Sequence, residues 1–149
     1  MTMSNSELTE FYERDIQKLI QEIKAFKNEE NLWRTVGTIN NSSGNLALHL
    51  IGGMNFLIGT TLGNSGYVRN REQEFTTKGV DREIIISQLL ELIATIKKAI
   101  TPLNEEELAK PFPIYFDKEN ATKGYVLTQL LLHLNYHLGQ INYLRRSLE

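Results

Sequence analysis

The spacing of apolar residues is the strongest constraint on the fold, because they recur every three or four positions along four long segments. These segments cover about residues 6–27, 43–62, 81–100 and 122–147. Recurrence at this spacing places the apolar side chains on one face of a helix. Four long amphipathic helices predict an all-α protein, a four-helix bundle that forms one domain over residues 1–149.

The second segment is apolar on nearly every side and is expected to be the most deeply buried of the four helices. It carries His49 between two leucines and the pair Gly52-Gly53 near its middle. Each glycine costs about 1 kcal/mol of helix propensity, so the pair suggests that a neighbouring backbone approaches closely. Burying an imidazole without a partner costs roughly 1–3 kcal/mol. His49 is therefore expected to share a polar site.

The fourth segment contains the other two of the three histidines in the chain, His133 and His137. Residues four positions apart project from the same face of a helix, and this spacing lets two imidazoles bind one metal ion. Facing helices of a bundle can build a metal site together. With His49, the pattern predicts a three-histidine site that keeps a position open for water or substrate. The alternative is three histidines that satisfy only local hydrogen bonds.

Two amide side chains are candidates to orient an imidazole or to contact bound water. Asn45 lies one turn before His49, and Gln140 lies near the face that carries the other two histidines. The alternative for each is an amide bonded to backbone or solvent. No carboxylate on the second or fourth segment lies three or four residues from a histidine, so no catalytic residue is assigned and no general base is visible. A thiol or water activated by the metal is then the simplest nucleophile.

The charged connection after the second segment contains three candidates for a substrate rim, Tyr67, Arg69 and Arg71. An arginine guanidinium pairs well with a carboxylate, so this rim would receive an anionic group. The alternative is a solvated loop whose arginines pair with Glu72 and Glu74.

Composition and charge exclude several classes of protein. The chain has no cysteine, which excludes disulfides, thiolate nucleophiles, cysteine-bound zinc and iron–sulfur clusters. The formal charge is −2 with no basic stripe, which disfavours nucleic acid as a partner. The N-terminus is polar and acidic, unlike a signal peptide, and the apolar stretches are too short to span a bilayer. We therefore expect no membrane partner and a cytoplasmic location.

Two stretches carry a resemblance to a known family: N-L-A-L-H-L-I-G-G around His49, and H-L-N-Y-H-L-G-Q-I-N-Y-L-R-R from His133. They resemble the DinB-like/YfiT-like superfamily of bacterial four-helix proteins. The resemblance implies an up-up-down-down style bundle with a long crossover connection, and metal ligands at His49, His133 and His137. Residues 110–116 contain two prolines and are expected to form an extended crossover, and residues 63–75 look like a feature of an uncharacterised branch.

Superfamily members with assigned activity resemble metal-dependent thiol transferases or thiol-dependent isomerases, and dimers are common among them. The resemblance implies a homodimer that acts on a small-molecule substrate, such as a low-molecular-weight thiol. Three neutral imidazoles suit zinc, with Ni(II), Fe(II) and Mn(II) as alternatives. The expected function is an enzyme that activates a thiol or water for transfer or hydrolysis. The alternatives are a non-catalytic metal-binding or ligand-sensing dimeric bundle, and a dimer whose histidines are only structural.

Overall fold

The computed structural model describes residues 3–149, which contain six α-helices and no β-strand. The helices are α1 (Asn5–Ala25), α2 (Ser43–Met54), α3 (Arg71–Thr76), α4 (Arg82–Ile100), α5 (Glu105–Leu108) and α6 (Lys123–Leu148). A 3₁₀ helix, Glu29–Trp33, precedes α2, and a π-helical turn, Asn55–Thr60, continues it. The predicted all-α class is confirmed.

The four predicted segments correspond to α1, α2 with its π-helical turn, α4 and α6, and their ends agree within a few residues. Side-chain caps define two of these ends. The Ser42 hydroxyl accepts from the Asn45 N–H at the start of α2, and the Thr122 hydroxyl accepts from the Tyr125 N–H at the start of α6. A capping oxygen satisfies an N–H group that has no partner within the helix, so each helix begins at a defined residue.

The four long helices pack in a ring around a core of leucine and isoleucine. Helix α1 packs against α4 and α6, and α2 packs against the same two helices, so α1 and α2 occupy opposite corners. Ile16, Leu50, Leu89 and Leu134 are buried where these helices meet. The bundle thus places α2 beside α6, which brings the two histidine-bearing helices face to face.

Hydrogen bonds between helices fix the direction of three of them. The Arg82 guanidinium at the start of α4 donates to the Lys24 carbonyl at the end of α1, at 3.0 Å, so these two helices are antiparallel. Near the end of α6, Arg145 Nε donates to Glu22 Oε2 at 2.9 Å, so α6 is parallel to α1.

The direction of α2 corrects the up-up-down-down order. Gly44 at its start packs on Trp33, in the 3₁₀ helix that follows α1, and Gly63 after its π-helical turn packs on Ala99 near the end of α4. Helix α2 therefore runs parallel to α4 and antiparallel to α1, and the order is up, down, down, up. The physical reason is the connection after α1, which starts α2 at the same end of the bundle where α1 stops.

Two long connections join the later helices, one along the length of the bundle and one at its end. Residues 61–81, which include α3, carry the chain back along α2 so that α4 can start at the end where α2 started. Residues 110–116, the expected crossover, lie in the connection that joins α4 to α6 at the other end. There the Phe112 N–H donates to the Ala121 carbonyl at 2.7 Å.

Over residues 3–149, no helix combines the length and the apolar character that crossing a bilayer would require.

Candidate metal centre

Three histidines from two helices converge at one point of the bundle. One ring nitrogen each from His49 on α2 and from His133 and His137 on α6 lie within 4.8 Å of one another. The Nε2 atoms of His49 and His133 are 3.1 Å apart. Two imidazoles on one tetrahedral zinc ion, at Zn–N distances of about 2.0–2.1 Å, hold their nitrogens roughly 3.3–3.4 Å apart. The spacing of His49 and His133 therefore fits a shared ion, and the nitrogen of His137 lies within 4.8 Å of both.

Hydrogen bonds to two of the rings leave nitrogen lone pairs free for a metal. His49 Nδ1 lies 3.1 Å from Glu74 Oε1, and His137 Nδ1 lies 2.6 Å from Gln140 Oε1. Ionised carboxylate and amide oxygens only accept hydrogen bonds, so each Nδ1 carries the proton and donates it. In a neutral ring the other nitrogen, Nε2, then has a lone pair. This donor set fits a divalent ion that takes neutral imidazoles.

The surroundings keep two of the rings neutral. Although His133 is an exposed residue, burial of part of its ring, with the charges that His137, His49 and Arg69 would add, lowers its pKa from the ordinary 6.5 to about 4. Burial also lowers the pKa of His49, although the hydrogen bond to Glu74 opposes that change. A histidine must be neutral to bind a metal ion, so both rings are in the binding form at neutral pH.

Glu74 on α3 is a buried partner of this centre that the spacing of the sequence does not reveal. Its side chain is 6% exposed. Arg69 donates to both carboxylate oxygens, from Nε to Oε2 at 2.8 Å and from Nη2 to Oε1 at 2.9 Å. Arg69 therefore pairs with Glu74, as expected if the arginines of this connection bind neighbouring glutamates.

A local signal for α3 is present in the sequence. The Asn70 side chain accepts from the Gln73 N–H at 3.2 Å and caps the helix. Asparagine followed three residues later by glutamine resembles the capping pattern that marks helix starts. Reading that pattern would have placed Glu74 on a helix, although the contact with His49 would still have needed the tertiary structure.

The two candidate amides have different positions. Gln140 accepts from the ring of His137, as its place on α6 suggests. The Asn45 side chain instead donates to the backbone carbonyls of Glu74 and Thr77, at 3.0 and 2.8 Å. Asn45 thus fastens α3 to α2 and contributes to the centre only through Glu74.

A cavity of about 590 Å³ opens beside His49 and His133. Its apolar lining comes from Leu50, Met54, Leu57, Phe116, Leu130 and Leu132. A small molecule with an apolar body would therefore be held next to the imidazoles.

The arginines of the expected rim reach this cavity, whereas Tyr67 lines a separate groove between α2 and α4. Arg69 is engaged by Glu74. The Arg71 guanidinium lies over the Phe75 ring, 5.3 Å from its centroid, and forms no ion pair within the described residues. Arg71 is thus the cation of the rim that remains available to an anionic ligand.

Asp117 is a second cavity residue that the sequence patterns do not single out. It lines the same cavity, and the Tyr125 hydroxyl donates to its Oδ2 atom at 2.5 Å. Its backbone is left-handed, with φ of 67°, and it lies in an exposed turn. Nothing in a single aspartate of a polar connection signals that position beforehand.

The fold and the site together define a class, a four-helix bundle with a candidate divalent-metal site between two of its helices. Among solved structures, the chain is similar to a DinB-like protein from Bacillus cereus ATCC 10987, with a TM-score of 0.78 and 15% sequence identity. The superposition covers 99% of this chain and 94% of that one, and it shows the shared fold. Residues 3–149 match the family DUF1572, described as a protein of unknown function, and the chain belongs to that family. A search of curated proteins found no match.

Proposed function

We propose that the protein binds a divalent metal ion through His49, His133 and His137 and uses it on a small-molecule substrate. Zinc is the first choice, with Ni(II), Fe(II) and Mn(II) as alternatives. The observation that carries the proposal is the convergence of three ring nitrogens beside a cavity of about 590 Å³. Structural zinc sites are closed by four protein ligands, whereas catalytic ones use three and keep a position for water or substrate.

The proposed reaction is transfer of a low-molecular-weight thiol to an electrophile, or hydrolysis. A bound divalent ion would favour ionisation of a thiol or water at neutral pH. The chain supplies orientation, because the leucines of the cavity hold an apolar body and Arg71 receives an anionic group on the substrate.

Metal content is the first test, measured by mass spectrometry on protein purified without a chelating tag. We expect about one equivalent per chain in the wild type and little in His49→Ala, because three ligands set the affinity. A wild type that holds no metal, and takes up none from added Zn(II), Ni(II), Fe(II) or Mn(II), would refute the proposal.

Substrate class is tested with two thiols that differ by one carboxylate, cysteine and cysteamine, and a chlorodinitrobenzene as electrophile. The zinc-loaded wild type is expected to convert cysteine faster, and Arg71→Gln is expected to remove that preference, since Arg71 pairs with the carboxylate. Equal rates for both thiols in the wild type would exclude this role of Arg71. A rate no higher than that of His49→Ala would exclude thiol transfer with this electrophile.

A second candidate function, a non-catalytic metal-binding or ligand-sensing module, is favoured by the state of Glu74. This carboxylate lies next to the centre but is held by Arg69 and His49, so it is not free to move a proton. In that case zinc would raise the melting temperature without producing turnover, because a ligand that binds only the folded state stabilises it.

We also propose a homodimer, which is supported by the resemblance to a superfamily in which dimers are common. Light scattering coupled to size-exclusion chromatography tests it, with a mass near twice the 17.1 kDa of the chain as the expected result.

A further inference from the structure

Burial of the Glu74 carboxylate costs free energy, and the hydrogen bonds that it accepts offset that cost. A carboxylate that is 6% exposed loses most of its hydration, and burial of a charge is strongly unfavourable unless the charge is paired and hydrogen-bonded. Arg69 supplies two hydrogen bonds at 2.8 and 2.9 Å, and His49 supplies a third contact at 3.1 Å. The Glu74 carboxylate is therefore stabilised in its buried position by Arg69 and His49, and it orients both of them in return.

The Gly52-Gly53 pair of α2 provides the space for this arrangement. A Cβ atom on Gly52 would lie 2.0 Å from Glu74 Oε2, and one on Gly53 would lie 3.3 Å from Arg69 Nη2. The pair thus admits two side chains, and not the neighbouring backbone that its sequence suggests. Since each glycine costs about 1 kcal/mol in a helix interior, the helix gives up stability at the place where these side chains lie.

The backbone of α3 is fixed independently of that ion pair. Asn45 donates to the carbonyls of Glu74 and Thr77, and its own side chain is buried. The Phe75 ring packs on the imidazole of His49, with centroids 4.9 Å apart. Helix α3 is therefore held against α2 by contacts that do not involve the carboxylate, so the carboxylate can be altered without releasing the helix.

We infer that Glu74, clamped by Arg69, is a positioning residue that holds the proton of His49 on Nδ1 and directs its Nε2 lone pair toward His133. This inference rests on the proposed metal site. The guanidinium of Arg69 can only donate, so it keeps both oxygens of Glu74 as acceptors, and His49 must then be the donor in their contact. Partners of this kind fix the tautomer and orientation of metal-binding histidines in other proteins.

The test is Glu74→Gln, compared with Glu72→Gln, the same chemical change on the same helix. In the variant Arg69 competes for the single amide oxygen, which turns the NH₂ group toward His49 and favours a proton on Nε2. Heteronuclear NMR of metal-free protein with isotope-labelled histidine reads the tautomer, and His49→Gln assigns the signal. Zinc affinity is measured on the same proteins, and circular dichroism reports their helix content.

We expect the wild type and Glu72→Gln to carry the His49 proton on Nδ1, and Glu74→Gln to move it to Nε2. Zinc affinity of Glu74→Gln should fall roughly 10–100-fold with helix content retained. A purely structural ion pair would lower the melting temperature and leave the tautomer unchanged, and that result would overturn the inference. Because the tautomer is read without metal, absence of metal binding in the wild type would refute the proposed function alone.

Discussion

The Nε2 atoms of His49 and His133 lie 3.1 Å apart, although 84 positions separate the two residues in the chain. At this distance two neutral rings cannot both direct lone pairs at each other. Either one ring donates an N–H to the other, or a cation lies between them. Adding a proton is opposed by burial and by the neighbouring charges that lower the pKa of His133 to about 4. Of the two cations, a proton and a metal ion, the metal ion is therefore the one that this arrangement accommodates at neutral pH, and without it one neutral ring donates its N–H to the other.

The metal-free protein should become less stable as the pH falls from about 6.5 to about 4. His133 has a folded pKa of about 4 against its ordinary 6.5, so in this window the unfolded chain binds more protons than the folded one. Above pH 6.5 both states hold the ring neutral and the effect vanishes. Urea unfolding at several pH values across this range measures the change in the free energy of unfolding.

The matched variant for that experiment is His133→Gln, which has no imidazole to titrate. Its free energy of unfolding should depend less on pH than that of the wild type over the same window. Parallel curves for the two proteins would show that His133 titrates normally in the folded chain.

His137→Ala is expected to lower metal occupancy sharply while leaving helix content nearly intact. The imidazole is one of three proposed ligands, but helix α6 is held by its buried leucines and not by this ring. Mass spectrometry and circular dichroism measure the two quantities. Tyr143→Ala, a truncation of an exposed side chain on α6, serves as the control and should keep both. Full occupancy in His137→Ala would contradict the proposed ligand set.

Gly52→Ala should destabilise the protein by roughly 1–3 kcal/mol, the usual cost of forcing an extra methyl group into a packed site. The added carbon would lie 2.0 Å from Glu74 Oε2. Gly139→Ala on α6 is the control, since no atom lies within 4 Å of its added carbon, and it should gain about 0.5–1 kcal/mol of helix propensity. Denaturant unfolding reports both values.

A double variant, Gly52→Ala with Glu74→Ala, separates the clash from other effects of the substitution. Because the shorter side chain removes the clash, the two changes together should cost less than the sum of their separate costs. Simple additivity would mean that the space at Gly52 is not reserved for Glu74.

Gln140→Ala is predicted to weaken zinc binding about tenfold, at the lower end of the range for partners of metal-bound histidines. The Gln140 carbonyl oxygen lies 2.6 Å from His137 Nδ1 and orients that ring, but the glutamine is exposed and water can replace it in part. Titration with zinc against a competing chelator measures the change. Asn142→Ala, whose side chain bonds to Glu22, should leave the affinity unaltered.

The extent of the helices was predictable because the signals are local. The spacing of apolar residues every three or four positions predicts α4, and the capping residue Thr122 marks the start of α6. Helix α3 was missed because its six residues are too few to show a regular spacing of apolar residues, so its cap at Asn70 is its one local signal. The direction of α2 was also missed, since it depends on the path of the connections.

The sequence by itself determined the long helices and the placement of His133 and His137 on one face of α6. Both follow from the fixed geometry of an α-helix, in which residues four apart share a face whatever surrounds them. Only the tertiary structure decided that Glu74 bonds to His49, that Arg69 is engaged while Arg71 is available, and that Gly52 faces a carboxylate. Each of these contacts joins residues of different elements, and the packing of the folded chain, not the spacing within a helix, sets which side chains meet.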